Sequence, residues 1–237
     1  MDKTTADKLL NQTRKNYDNF AQTFARTRDY VPNQVESLLA KYIQKNDKVL
    51  DIGCGNGRFY PLFTQEDADY YGIDNSKNLI IIAKNNFPEA NFVVADALNL
   101  PFRENMFDMT VTLAVIHHIP SQTYRQKFFQ EAWRILKPGG IFIAMVWNLR
   151  PLTMAKIGQW KRLRGFLKSQ IKIALGLENL DFGDFFIPWQ NKYQRYVHSF
   201  TLDELKKLAC GTGFKILEAG VMPLGKKESN LYIVTKK

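Results

Sequence analysis

The chain has 237 residues, 45% of them hydrophobic, enough for one substantial α/β core and short for several domains. Its two cysteines, Cys54 and Cys210, make neither a disulfide framework nor a zinc site, and nowhere do 18 consecutive apolar residues occur; a cytoplasmic protein with no bound metal and no integral membrane segment is expected. The net charge of +10 is compatible with a polyanionic partner, and much of it is local: Arg150, Lys156, Lys161, Arg162, Arg164, Lys168 and Lys172 lie between Leu149 and Leu177 without one Asp or Glu.

In chain order, residues 1–45 are expected to form a helical cap, followed by strand and helix patterns in alternation. Strands are predicted at Lys48 to Ile52, Tyr70 to Ile73, Asn91 to Val94, Met109 to Leu113 and Ile141 to Trp147, with a helix from about Gln122 to Leu136 and a turn at Lys137-Pro138-Gly139-Gly140. A basic helical insertion is expected at 149–190. Within it Trp160, Leu163, Leu167 and Ile171 recur at helical spacing, and Lys161, Arg164, Lys168 and Lys172 follow one residue behind, the pattern of an amphipathic helix. Thr201 and Glu204 form a capping-box pattern opening a late helix, after which strands are predicted at Phe214 to Ala219 and Leu231 to Thr235. The whole reads as a single domain, 1–237, with a doubly wound parallel sheet closed by an antiparallel hairpin.

The chemistry sits at successive strand ends, where open α/β sheets bind ligands. Val49-Leu50-Asp51-Ile52 runs into Gly53-Cys54-Gly55-Asn56-Gly57, whose alternating glycines let the backbone turn sharply and approach a ligand. Arg58 stands where a dinucleotide fold would carry its third glycine, and the Gly-Lys-Ser/Thr of a phosphate loop is absent. Asp74, at the end of the second strand and 23 residues after Asp51, is spaced to accept from ribose hydroxyls, or alternatively to cap the next helix. Asp96, with Ala97, lies 22 residues further on, and the fourth strand ends in Leu113-Ala114-Val115-Ile116-His117-His118.

This G-x-G-x-G loop, the three acids, "AVIHHIP" and "RILKPGGIFIAMVWN" together resemble the class I methyltransferases that use S-adenosylmethionine (SAM). The resemblance implies a Rossmann-like α/β fold: a seven-stranded, mostly parallel sheet with a C-terminal antiparallel hairpin and helices on both faces. It places Asp51, Gly53, Cys54, Gly55, Asn56 and Gly57 at the methionine end of SAM, Asp74 and Asn75 at the ribose, and Asp96 and Ala97 at the adenine. Leu113 and Ala114 complete the cofactor set. His117 or His118 is either a general base or a packing and loop-organising residue.

Further motifs narrow the resemblance. Tyr17, Asp18, Phe24, Thr27, Arg28 and Pro32 in "YDNFAQTFARTRDYVPNQVESLL", then Ile187-Pro188-Trp189, Arg195-Tyr196-x-His198-x-Phe200 and "ESNLYIVTKK", are similar to the eukaryotic tRNA methyltransferases that esterify a carboxymethyl group on wobble uridine. The chain departs from them at Val31 and Val197, where that family carries aromatics, and across the insertion. The likeness implies Arg28 gripping either the acceptor carboxylate or that of the cofactor, and Arg195, Tyr196 and His198 forming an opposite wall. Tyr17, His118 and Trp147 join Arg28 and Tyr196 as acceptor-binding residues. It also implies tRNA as partner and a small activator subunit. The basic helix then contacts tRNA phosphates, covers a small-molecule pocket, or rests on an anionic membrane. A quinone- or sterol-type small-molecule methyltransferase and a non-enzymatic SAM-fold scaffold share most of these motifs and are the competing readings.

Overall fold

The computed structural model describes every residue except 29, 157, 190–192 and 226–227. Helix α1 (Lys3–Arg26) and α2 (Asn33–Ala40) precede β1 (Lys48–Ile52), α3 (Tyr60–Thr64), β2 (Asp69–Asp74), α4 (Lys77–Asn86) and β3 (Asn91–Val94). Then come β4 (Phe107–Leu113), α5 (Gln122–Ile135), β5 (Leu136–Trp147), α6 (Pro151–Lys156) and α7 (Trp160–Ala174). The hairpin β6 (Asp184–Trp189) and β7 (Tyr193–His198), α8 (Leu202–Thr212), β8 (Lys215–Leu224) and β9 (Glu228–Lys236) complete the chain.

The main sheet has the order β3-β2-β1-β4-β5-β9-β8; its first five strands are parallel, and β9 runs antiparallel to both β5 and β8. Seven strands, a C-terminal antiparallel hairpin and helices on both faces match the expected class. Strand alternation divides the core between the two faces. Leu50, Ile52, Phe142 and Ala144 pack with Phe128, Phe129, Leu205 and Leu208, whereas Val49, Met109, Val111 and Ile143 pack with Leu38, Leu39, Phe63 and Ile80. Apolar side chains on alternate residues of every central strand therefore need cover on both sides, and the helices supply it.

Two boundaries differ from expectation for local reasons. The predicted turn at Lys137–Gly140 lies inside β5: Leu136 pairs with Phe107 and Ile141 with Met109, so four residues bulge opposite Asp108. Lys137 Nζ closes that bulge on both Asp108 oxygens at 2.8 and 2.7 Å. The insertion is helical only through α6 and α7. Its end forms the two-stranded sheet β6-β7, which the sequence pattern hid because Asp184 and Arg195 occupy buried strand positions and Pro188 interrupts the run.

Helix α7 is also rotated from its expected setting. Phe166, Ser169 and Gln170 are its buried residues, while Trp160, Leu167 and Ile171 face water at 58, 48 and 61% exposure. The inward face is decided by the hairpin, since the Phe166 ring packs edge-on against Phe185 at 5.3 Å and the Gln170 side chain donates to Asp184 O and accepts from Gly183 N.

His198, expected in the catalytic set, is a structural clamp. Its Nδ1 lies 2.6 Å from Asp184 Oδ1 and its Nε2 2.9 Å from Glu204 Oε1, tying β7 to β6 and to α8. Tyr196, on β7 of the same hairpin, is likewise buried, its ring beside Phe186 and its hydroxyl in the field of Asp184 and Arg125. Burial alone would lower the His198 pKa, but the two carboxylates outweigh it and hold it above the usual value. The folded state thus binds a proton that the unfolded chain releases, so this stabilisation is complete below about pH 6.5 and is lost as pH rises through the folded value. Urea unfolding followed upward from about pH 6 should show a loss of stability, absent in His198→Gln, whose amide does not titrate.

Candidate functional site

The site begins where β1 ends. Gly53 has φ of +81°, and a Cβ there would stand 2.2 Å from Val115 Cγ2, so only glycine lets the chain turn off the strand. The amides of Gly53 and Cys54 both donate to Ile73 O, at 2.7 and 2.9 Å, which pins the loop to β2. At the end of β2, Asp74 accepts from Gly55 N through Oδ2 at 3.1 Å and from Ser76 N through Oδ1 at 2.8 Å. Ser76 caps α4 and donates to Asp18 Oδ1 on α1 at 2.7 Å, so loop, helix and roof share one network. Burial, opposed by these backbone donors, pushes Asp74 up to about 6. Its ligand-facing and loop-organising roles coexist.

A cavity of about 390 Å³ opens above this network, a volume typical of small-molecule sites. Gly53, Cys54, Gly55, Asn56, Asp74 and Asn75 line one stretch, and Asp96, Ala97, Leu113 and Ala114 another. Ala114, with φ of +65°, follows β4 and turns Val115 and His118 toward the cavity. Tyr17, Arg28, His118 and Trp147 form the remaining expected wall. Five expected cofactor or catalytic residues do not line it: His198, already placed in its clamp, Arg195 behind the wall, and Asp51, Gly57 and His117. Asp51 lies under the loop, accepting from Tyr70 Oη at 3.0 Å, and its burial raises it to about 7. Gly57 turns the chain back against Phe92, and His117 is buried against Trp147.

The pattern reading missed much of α1. Leu10, Thr13, Arg14 and Tyr17 line the cavity at i, i+3, i+4 and i+7, a spacing visible in the sequence. Arg58 also lines it, although its position first signified only a missing glycine. Glu228 and Asn230 of β9 complete the rim; β9 pairs Asn230 with Trp147 across the sheet.

The two histidines at the site, His117 and His118, are neutral. His118 Nδ1 faces Tyr196 O at 2.9 Å, and since a carbonyl only accepts, Nδ1 carries the proton and Nε2 accepts from Tyr17 Oη at 2.8 Å. Burial pushes His118 down to about 3 against the opposing backbone bond, and burial holds His117 well below its usual value. Behind Tyr17, the Arg195 guanidinium stacks over Trp147 and Trp189, 5.1 and 4.3 Å from their centroids. Arg195 therefore supports the wall without lining the cavity. Arg14, Arg28 and Arg58 do line it, and among the described residues none forms an ion pair.

Comparison with known proteins decides the family. Residues 50–144 match the family described as methyltransferase domain. Over 227 residues the chain is 30% identical to the tRNA (carboxymethyluridine(34)-5-O)-methyltransferase of Schizosaccharomyces pombe, covering 86% of this chain and 89% of that protein. The chain belongs to the class I SAM-dependent methyltransferases. Relatives named for the same activity from Xenopus tropicalis and Arabidopsis thaliana are 38 and 33% identical over 57 and 62% of this methyltransferase, which spans only 21 and 35% of their lengths. A Methanosarcina mazei SAM-dependent methyltransferase shares the fold at a TM-score of 0.73 and 24% identity, over 84% of this chain and 96% of that one. A Haloferax volcanii putative methyltransferase, solved in complex with the Trm112 methyltransferase activator, shares it at 0.67 and 15%, over 94 and 96%.

SAM is the cofactor, and the residues present fit it. Asp74 keeps lone pairs free of its two backbone donors, and ribose hydroxyls would relieve a carboxylate that burial has made reluctant to ionise. Asp96, Ala97 and Leu98 line the stretch where adenine would lie, and the glycine loop lines the stretch that would admit the methionine tail. Calorimetry with S-adenosylhomocysteine should therefore show affinity falling as pH drops through about 6, where Asp74 gains a proton and loses acceptor capacity. Asp74→Asn should weaken binding about 10- to 100-fold at neutral pH. Gly53→Ala, strained in φ and overlapping Val115, should lower stability by more than about 2 kcal/mol in urea unfolding.

Proposed function

We propose that this methyltransferase esterifies an acceptor that is already a carboxylate, the carboxymethyl group of a modified wobble uridine in tRNA, in the cytoplasm. The observation that carries this reading is a cavity lined by three arginines that form no ion pair among the described residues, with His118 neutral and its free lone pair committed to Tyr17. Such a wall suits an anion and lacks a histidine base to deprotonate a neutral hydroxyl or amine. SAM, when bound, supplies an electrophilic methyl on its sulfonium. The protein's share is to orient the acceptor in line and exclude water, which positioning alone can make effective.

In this reading Arg28 grips the acceptor carboxylate with its planar fork. It is held for that task by Asn56, whose Nδ2 donates to Arg28 O at 3.0 Å, and by the Phe24 ring beneath its guanidinium. Tyr17, His118 and Trp147, packed edge to face, give the base an aromatic wall, and Arg195 stiffens it from behind. The exposed basic flank of α7, Lys161, Arg164 and Lys168, supplies phosphate contacts. Several relatives carry the carboxymethyluridine activity in their names, which supports the substrate class. An activator subunit finds a site at β3, an open sheet edge whose Val93 and Val94 stand exposed.

Labelled SAM and tRNA bearing carboxymethyluridine should yield a base-labile methyl ester, with affinity falling steeply as salt rises. Transfer to a quinone or lipid with no tRNA labelled would overturn the reading in favour of a small-molecule enzyme. Single-turnover rates should stay flat between about pH 7 and 9, since a carboxylate with pKa near ~4 is ionised throughout. Arg28→Met should lower kcat/KM by about 100-fold or more.

A further inference from the structure

The cavity has two ends, and α1 measures the distance between them. Leu10 packs against the cluster containing Leu98 and Ile119, beside Asp96, while the Phe24 ring abuts Gly55, 3.3 Å from where a Cβ would stand. Fourteen residues of α1 separate Leu10 from Phe24, at most about 20 Å at the helical rise, since the helix is kinked at Phe20 between them. Asp96 marks the adenine end and Asp74 the ribose, so the amino-acid tail of SAM extends past Gly55 toward the Phe24 end.

Arg58 waits at that end. It directly follows the glycine loop, donates through Nη1 to Tyr30 O at 3.3 Å, and holds its guanidinium 4.6 Å above the centroid of its neighbour Phe59. The side chain is half-buried and lines the cavity, yet no ion pair among the described residues involves it. Burial first, and the Arg28 charge second, pull it down to about 10 against the opposing pull of Asp51 and Tyr30, so an anion in the cavity would relieve it. Arg28 sits differently: its Nη1 returns to Thr27 O, its guanidinium lies over Phe24, and its charge is felt by Tyr17 and Arg195 on the acceptor wall.

We infer that the two arginines divide two carboxylates between them, Arg58 holding the α-carboxylate of the cofactor's methionine tail and Arg28 remaining free for the acceptor. The Arg58 half stands on the family alone, and its test needs no acceptor; the Arg28 half rests on the proposed function. A fork that takes a carboxylate bidentately beside the loop fixes the tail, and with it the direction in which the sulfonium methyl points.

The test compares two ligands by calorimetry: S-adenosylhomocysteine, which carries the amino-acid tail, and 5′-methylthioadenosine, which lacks it. Arg58→Met should weaken S-adenosylhomocysteine by about tenfold or more and leave 5′-methylthioadenosine within about twofold, whereas Arg28→Met should move neither by more than about twofold. Arg58→Lys, keeping charge without the fork, should fall between for the first ligand and match wild type for the second. Equal loss for both ligands in the Arg58 variants, unchanged S-adenosylhomocysteine affinity, or a tail-dependent loss in Arg28→Met instead would each overturn the assignment. If Arg58→Met does not fold, Arg58→Lys decides by the same comparison.

Discussion

The carboxylate of Asp74 is the constraint on which the site depends. A buried carboxylate is costly unless its lone pairs are met, and here two backbone amides meet them: Gly55 from the loop after β1 and Ser76 from the first turn of α4. One side chain thereby fixes the loop's distance from β2 and the position of a helix start. Ser76 carries the constraint further, since its hydroxyl donates to Asp18 and so registers α1 against the sheet. The roof of the cavity is placed by the same residue that forms part of its floor.

Opposite that polar hinge stands an aromatic and cationic layer. Tyr17 joins α1 to the turn after β4 through His118, His118 joins that turn to β7 through Tyr196 O, and Arg195 spans Trp147 and Trp189. Few of these side chains can move independently, because each ring or guanidinium is one face of its neighbour's environment. The cost is chemical: burial strips the histidines of their charge, so the layer offers shape and stacking in place of proton transfer.

The central sheet was legible from strand spacing because parallel strands buried on both faces must be apolar runs, and β1 falls on its predicted residues. The cofactor loop was legible because glycine at positive φ leaves a signature that few other residues can imitate. His198 shows where that legibility ends. A histidine near two carboxylates looks the same in sequence whether it catalyses or clamps, and only the pairing of β6 with β7 brings Asp184 to it. Helix α7 makes the same point through Trp160, Leu167 and Ile171: periodicity identified an apolar stripe, but Gln170, satisfied by two backbone groups of the hairpin side, determined which face turned inward. Arg58 was hidden by comparison with another fold's motif, where it registered only as something absent.

The cavity wall draws on Leu10 and Tyr17 near one end of the chain and on Glu228 and Asn230 near the other, with the glycine loop between them. No contiguous fragment contains it. Occupancy of the cavity is therefore thermodynamically linked to the folding of the whole chain, and the free energy of cofactor binding is distributed to every element at once. An intermediate with a formed central sheet but an undocked α1 or β9 lacks the pocket, which makes cofactor affinity a sensor of cooperative folding as well as a prerequisite for methyl transfer.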